Sequence, residues 1–234
     1  MVFSIAHRPV GQLVAERPRR AAILEAFAVD YCCQGSLPLE EVCAAGKLDL
    51  EKILQALQAD EISERSPGVN DVDWRSARLT DLIDHIQAQH HGYLRDQLPR
   101  LGALIDKVAL AHRHTHPELR LLRRIFHAFA DDLVPHMLKE EHVVFPAIKR
   151  REASADHGAT AELRASLELM ENEHDTVGAQ LRAIRDLTDD YRPPVEACRS
   201  WRALLEGLAD LEADMHLHIH KENNILFPRA MGEA

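Results

Sequence analysis

No stretch of this chain approaches the roughly 20 apolar residues a membrane-crossing helix requires. Its first residues, Met-Val-Phe-Ser-Ile-Ala-His-Arg-Pro, lack the apolar segment of a secretory signal. A cytoplasmic protein without a membrane partner is therefore expected. Positive charge is in deficit as well: Lys and Arg total 28 against 38 Asp and Glu, a formal net charge of -10. That sign argues against nucleic acid or an anionic membrane as principal partner, since both repel it. Cysteine is scarce, with 4 residues, two of them adjacent. They fit no disulfide framework in a chain this long, and intracellular thiols are normally reduced. Nowhere do polar and β-branched residues alternate as in a half-buried strand. What remains is an all-α chain of 234 residues, long enough for one good core and a small accessory domain.

Against these absences stands one pattern present twice. His136-Met-Leu-Lys139-Glu140 runs on to Phe145-Pro146, and His218-Ile-His-Lys221-Glu222 runs on to Phe227-Pro228. Each reads His-x-x-Lys-Glu, then four residues, then Phe-Pro. An i,i+4 pair on a helix shares one face, with Cβ atoms roughly 6 Å apart, so each copy aims an imidazole and a carboxylate in one direction. The apolar stripe Leu119, Leu122, Phe126, Phe129 and Leu133 continues through His136, Glu140 and Val144. Trp201, Leu204, Leu208, Leu211 and Met215 continue likewise through His218, Glu222 and Ile225. Both polar pairs thus face a core.

Two more stripes each carry one histidine inward. Leu163, Leu167, Met170, His174, Val177, Leu181 and Ile184 form one, and Ile83, Gln87, His91, Leu94, Leu98, Leu101, Ile105 and Val108 the other. A lone inward histidine is ordinarily a hydrogen-bonded core residue. Four of them with two carboxylates would be costly to bury without partners or a metal. If Glu140 and Glu222 each bridge two ions, they and four terminal imidazoles supply four bonds to each ion, as in carboxylate di-iron sites of four-helix bundles. The expected ligands are His91, His136, Glu140, His174, His218 and Glu222. Mixed imidazole and carboxylate ligation without thiolate suits iron first, with manganese and zinc behind it.

Breaks at Thr115-His116-Pro117, around Ala153 to Gly158 and at Thr188 through Pro194 leave four helices in up-down-up-down order. Before them, Pro18 suits the start of a helix running toward Cys33, with Gly35 to end it, Pro38 to open the next, and Gly46 with Asp49 marking another stop and start. Ser63 through Asp73 is turn-rich and reads as a linker. The expected organisation is a small helical Cys-Cys domain over 1–66, a linker over 67–75 and the bundle over 76–234.

His-x3-Glu on two helices, with one His from each of the others, resembles the hemerythrin-like domain, a four-helix bundle around a non-haem di-iron centre. Oxygen-carrying hemerythrins have a further His four residues after the one on the third helix, where this chain has Gly178. The resemblance therefore implies an opening at the metals rather than oxygen carriage. Asp30-Tyr31-Cys32-Cys33-Gln34-Gly35 in turn resembles the short N-terminal domain of the iron–sulfur cluster repair di-iron proteins, and Asp73-Trp74-Arg75-Ser76-Ala77, Met170-Glu171-Asn172-Glu173-His174-Asp175, Pro193-Pro194-Val195-Glu196-Ala197-Cys198 and Glu222-Asn223-Asn224-Ile225-Leu226-Phe227-Pro228-Arg229-Ala230 resemble other stretches of the same family. That resemblance implies two iron ions, iron–sulfur proteins as clients, and a cytoplasmic role in repairing clusters damaged by oxidative or nitrosative stress, through donation of iron rather than turnover. An enzyme reducing nitric oxide or peroxide at the open positions, and a metal-based oxygen or nitric oxide sensor, are the other readings. Whether copies pair as a homodimer is left open.

Around the six ligands, Glu173 and Asp132 are accessory carboxylates that could orient ligands or line an iron path. Cys32 and Cys33 are candidates for iron or nitric oxide transfer, for redox chemistry, or for simple packing. Cys43 and Cys198 read as structural. His112 continues the first stripe but lies roughly 31 Å from His91 along a straight helix at 1.5 Å per residue. Unless Pro99 breaks that helix, His112 caps its last turn. His90 competes with His91 and is disfavoured by its more polar stripe. His85, His127, His142, His216 and His220 fall off the core stripes and are expected to be solvated or to back the ligands. Pro135, just before a ligand, predicts a kink near the metal.

Overall fold

The structure, a computed structural model, describes residues 5–62, 72–154 and 160–232. Among them there is no strand, and one isolated bridge joins Pro9 and Pro38. No described helix is long and apolar enough to cross a membrane. Most of the expected linker, and most of the break expected between Ala153 and Gly158, lie outside the described residues.

Of the helices that lie wholly within the described residues, the first four are short: α1 Val10–Glu16, α2 Arg20–Ala26, α3 Leu39–Gly46 and α4 Leu50–Ile62. Helix α1 has no start signal noted in the sequence; it is set by its apolar face, with Val10, Leu13 and Val14 buried. Helix α2 stops well before Cys33, contrary to expectation. Ala28 takes φ 56, and the Ala28 and Val29 amides bond back to Glu25 and Leu24 oxygens at 2.9 Å. This is the left-handed helix ending usually made with glycine, here without one, and so invisible to a reading keyed on Gly35. Burial of Val29 and Tyr31 holds the chain in this turn. Cys32 and Cys33 therefore lie on an irregular loop. Helix α3 ends as expected near Gly46, although Lys47 is the left-handed residue, and Asp49 Oδ1 caps α4 by accepting from the Lys52 amide at 3.2 Å.

The bundle is built of four long helical rods. The first joins α5 Leu79–Ile86 to α6 Gly92–Ala111, the second α7 Leu119–Lys139 to α8 Phe145–Ala153; the third is α9 Ala161–Leu187, and the fourth joins α10 Arg199–Lys221 to α11 Phe227–Met231. The first rod packs on the second and fourth, and the second on the third. Thr160 caps α9 through its hydroxyl. Three left-handed residues, Asp189, Asp190 and Tyr191, make the turn toward the fourth rod. Pro99 lies inside α6 without interrupting it, so His112 stays at that helix's far end.

Each jointed rod is joined by a π-helical turn of 5 residues: Gln87–His91, Glu140–Val144 and Glu222–Leu226. The Gly92, Phe145 and Phe227 amides donate five residues back, to the oxygens of Gln87, Glu140 and Glu222. Such turns insert one residue into a helix and recur at functional sites. The repeated Phe-Pro has a role here: Pro146 and Pro228 open the following α-helix, where a missing N–H is tolerated. The irregularity expected at Pro135 thus falls one turn later, and Pro135 itself lies within α7.

Apolar burial divides into two clusters. Leu82, Ile86, Phe145, Leu167, Met170 and Phe227 pack at one end. At the other, Leu94, Ile105, Phe126 and Leu211 of the bundle form one connected core with Leu13, Tyr31, Leu39 and Ile53 of the first unit. Between the two clusters lies a buried polar layer.

Candidate metal centre

The polar layer contains His91, His136, Glu140, His174, His218 and Glu222, each no more than 2% exposed. The π turns position half of it: His91 ends the first, and Glu140 and Glu222 begin the others. Each carboxylate faces two ways. Glu140 Oε1 lies 3.2 Å from His136 Nε2, while its Oε2 lies 3.3 Å from His91 Nε2. Glu222 Oε2 lies 3.3 Å from His174 Nε2, while its Oε1 lies 3.2 Å from His218 Nε2. Two sets result, His91 with His218 and His136 with His174, each completed by one oxygen of both glutamates and drawn within 4.8 Å.

The site's chemistry calls for cations. His136 Nδ1 faces Glu173 Oε2 at 2.7 Å, and His174 Nδ1 faces Asn223 Oδ1 at 2.7 Å. Both carbonyl-type oxygens accept, so both Nδ1 atoms carry protons and both Nε2 lone pairs point inward. Those Nε2 atoms sit 3.1 Å apart, an arrangement that repels unless a positive charge lies between them. Glu140 Oε1 and Oε2, Glu222 Oε2 and His91 Nε2 are buried without hydrogen-bond partners, which native interiors seldom allow without a water or ion. Protons supply the charge in the metal-free site. Burial works against charging His136, but the adjoining Glu140, Glu222 and Glu173 outweigh it and push the imidazole up to about 9. Burial likewise raises Glu222, and the facing His218 and His174 overcome it, holding the carboxyl well below its usual range. The donors are imidazole nitrogens and carboxylate oxygens, as iron, manganese or zinc accept.

A shell of partners orients these imidazoles. Glu173, expected as an accessory, holds His136 and also contacts Lys139. Glu141 Oε1 holds His91 Nδ1 at 2.6 Å, with Arg95 behind it. Glu141 and Asn223 were missed by the sequence reading, although each follows a ligand glutamate directly. Such partners fix the tautomer and ring orientation. Glu141 and Glu173 are each paired with a surface cation, which leaves the buried Glu140 and Glu222 as the carboxylates facing only imidazoles.

Other expected residues fall elsewhere. Asp132 accepts from Gln180 Nε2 at 2.9 Å and touches no ligand. His112 packs its ring 4.8 Å from Trp201 at the far end of α6. His220 is 3% exposed rather than solvated, because the first unit covers it with Tyr31, ring centres 5.5 Å apart. His90 is buried alongside His91, since the π turn carries both inside. His127 and His216 are half-buried, His142 is exposed, and Cys198, expected as structural, is exposed.

The first unit meets the centre through the Cys-Cys loop. Cys33 Sγ approaches the His174 carbonyl at 3.8 Å, and a Cβ on Gly178 would come within 3.3 Å of that sulfur. The slot left by Gly178 is thus closed by Cys33. Cys32 is buried and Cys33 half-buried, with sulfurs 3.7 Å apart. Burial and the neighbouring thiol and Asp30 push Cys32 up, the Cys33 contact foremost. Asn224 locks the loop by donating to the Tyr31 and Cys32 oxygens at 3.3 and 3.0 Å. Beside it opens a cleft of about 390 Å³ with Cys33, Ser36, Glu168, Asp175 and Asn223 on its walls.

Comparison with known proteins agrees in both parts of the chain. Residues 81–230 match the hemerythrin HHE cation binding domain, and residues 6–61 match a domain of unknown function, DUF542. An iron-sulfur cluster repair protein YtfE of Musicola paradisiaca (strain Ech703) is 36% identical over 228 residues, covering 97% of this chain and 98% of its own. Proteins of the same name from Enterobacter sp. (strain 638) and Escherichia coli O8 (strain IAI1) are each 35% identical over 224 residues, covering 96% of both chains.

Proposed function

This chain belongs to the iron–sulfur cluster repair proteins that join a DUF542 domain to a hemerythrin HHE domain, and from that premise we propose that it restores clusters damaged by oxidative or nitrosative stress by giving up iron. Two ions would be held by the two donor sets, His91 with His218 and His136 with His174, together with the carboxylates of Glu140 and Glu222 that both sets share. The observation that carries this reading is the pair of buried donor sets sharing two carboxylates, three of whose four oxygens have no hydrogen-bond partner. Iron held there supplies the transferable ion and one-electron chemistry.

The residues around it serve storage with release. Glu141 and Glu173 hold imidazole protons on Nδ1, so that Nε2 presents its lone pair, and both also touch surface cations, Arg95 and Lys139. Loosening either contact loosens a ligand. The cleft beside Cys33 has acidic walls in Glu168 and Asp175, suited to a cation on its way out, and Cys32 with Cys33 lies where a departing ion could be relayed. Clients are iron–sulfur proteins in the cytoplasm.

The test is to load the purified protein and present it, with a reductant, to an iron–sulfur enzyme inactivated by nitric oxide or peroxide. About two irons per chain are expected to bind, and enzyme activity to return as they leave. No transfer, together with steady consumption of nitric oxide or peroxide, would replace this reading with a reductase working at the same centre.

A further inference from the structure

The lysine common to both copies of the repeated pattern has two different fates. Lys139 reaches outward to Glu173. Lys221 turns inward and, among the described residues, finds no carboxylate at hydrogen-bond distance; its ammonium donates to two imidazoles, His90 Nε2 at 2.7 Å and His85 Nε2 at 2.9 Å. An ammonium can only donate, so both nitrogens present lone pairs to one point, and that point already holds a cation. The backbone explains the convergence. Residues five apart on an α-helix face different ways, but His85 and His90 flank and enter the π turn Gln87–His91, whose wider winding brings their rings to 5.8 Å.

The pair is also furnished as metal-binding imidazoles are. His90 Nδ1 donates to Asp214 Oδ1 at 2.8 Å, the carboxylate–imidazole arrangement that sets a ligand's tautomer, and Asp214 Oδ2 is buried with no partner. His90 stacks on His218 at 5.2 Å with ring planes 1° apart, directly outside the set formed by His91 and His218. On its outer side, half-buried His85 lies against Trp74 at 4.5 Å.

We propose that His85 and His90 form an outer site for a divalent transition-metal ion, in which the Lys221 ammonium is the resident stand-in and must swing out before a metal enters. Imidazole nitrogens select iron, zinc or cobalt over magnesium or calcium, and a dication replacing an ammonium satisfies the same two lone pairs. The place of this site in iron transfer, as a station between the His91–His218 set and solvent, rests on the function proposed above; its capacity to bind metal does not.

Cobalt(II) uptake by the whole chain, read by metal analysis and visible absorption, tests it. Lys221→Met is expected to take up one more cobalt per chain than the wild type, and Lys221→Met with His85→Ala to lose that gain. No gain, or a gain that survives His85→Ala, overturns the site. Should Lys221→Met not fold, Lys221→Gln, which removes the charge but keeps a polar side chain, carries the test in its place: it is expected to take up the same additional cobalt, and no gain overturns the proposal. Extra cobalt in Lys221→Met from a protein that repairs no cluster would support the site while removing the repair reading.

Discussion

The two copies of the repeated pattern build the same half-site and then part company. In both, an imidazole and a glutamate four residues on face the centre, a π turn begins at the glutamate, and Phe-Pro closes it. The flanking positions differ. After Glu140 come Glu141, which holds His91, and His142, which is exposed. After Glu222 come Asn223, which holds His174, and Asn224, whose side chain is driven between Gly11 and Gly35 of the first unit. The first copy is flanked by charge and opens toward water; the second is flanked by neutral amides and is covered. One short pattern thus serves two ends, the inward presentation of an imidazole and a carboxylate in both copies and domain attachment in only one.

The largest effect should show the shared part. Since each carboxylate serves both metal sets, Glu140→Ala and Glu222→Ala should each remove most of the iron, whereas His136→Ala or His218→Ala, each touching one set, should leave about half. Metal analysis on the purified variants decides it. Full retention in both glutamate variants would break the equivalence of the copies and the bridging arrangement together.

Attachment is where the copies should separate. A Cβ at Gly35 would lie 1.8 Å from Asn224 Oδ1, with the side chain already bonded to the Tyr31 and Cys32 oxygens, so it cannot simply step aside. Gly35→Ala should lower stability by about 1–3 kcal/mol, in the range of overpacking a filled site. At the matching place in the first copy, His142→Ala should stay within about 0.5 kcal/mol, as exposed substitutions do. Denaturant titration of the two variants measures the difference, and equal losses would deny the second copy its structural role.

What could be read from the sequence followed the helical period. Stripes of three- and four-residue steps located the inward faces, and on them all six residues that the fold gathers into one layer. The period also misled where it is broken. A π turn is not encoded by any residue type that signals it, so the burial of His90 beside His91 and the convergence of His85 with His90 were illegible. Asn223 and Glu141 were legible only in retrospect, by their place after the ligand glutamates, since a polar residue one step off a core stripe reads as surface. Ala28 ends α2 in a conformation alanine seldom adopts, and only the packing of Val29 and Tyr31 accounts for it. The covering of His220 depends on contact between distant segments, which no local pattern carries.

The partners behind the ligands sharpen the contrast of charge. Glu141 is anionic and bonded to Arg95, while Asn223 is neutral and also donates to the Cys32 oxygen at 3.5 Å. Glu141→Gln removes a charge from the layer but keeps an acceptor for His91, and metal affinity should fall about tenfold, at the low end for such partners. Asn223→Ala should weaken metal binding by a similar factor and in addition speed proteolysis of the Cys-Cys loop. Competition with a chelator and limited digestion read the two effects separately. Loop loosening in Glu141→Gln as well would mean that the coupling between metal and first unit runs through the whole layer rather than through the second copy.

The smallest effects belong to residues that resemble participants by type and fail by position. Asp132 lies on the second rod one turn before His136, but its carboxylate turns to Gln180. His112 sits beyond five turns of uninterrupted α6, against Trp201. Neither touches the layer, so Asp132→Asn should leave iron content unchanged and stability within about 0.5 kcal/mol. For His112→Ala the iron should again be unchanged, with a modest stability loss from the Trp201 contact, about 0.5–1.5 kcal/mol for an aromatic pair. Loss of iron in His112→Ala would require the first rod to bend at Pro99 enough to bring its far end to the centre, and would displace His91 from the ligand set.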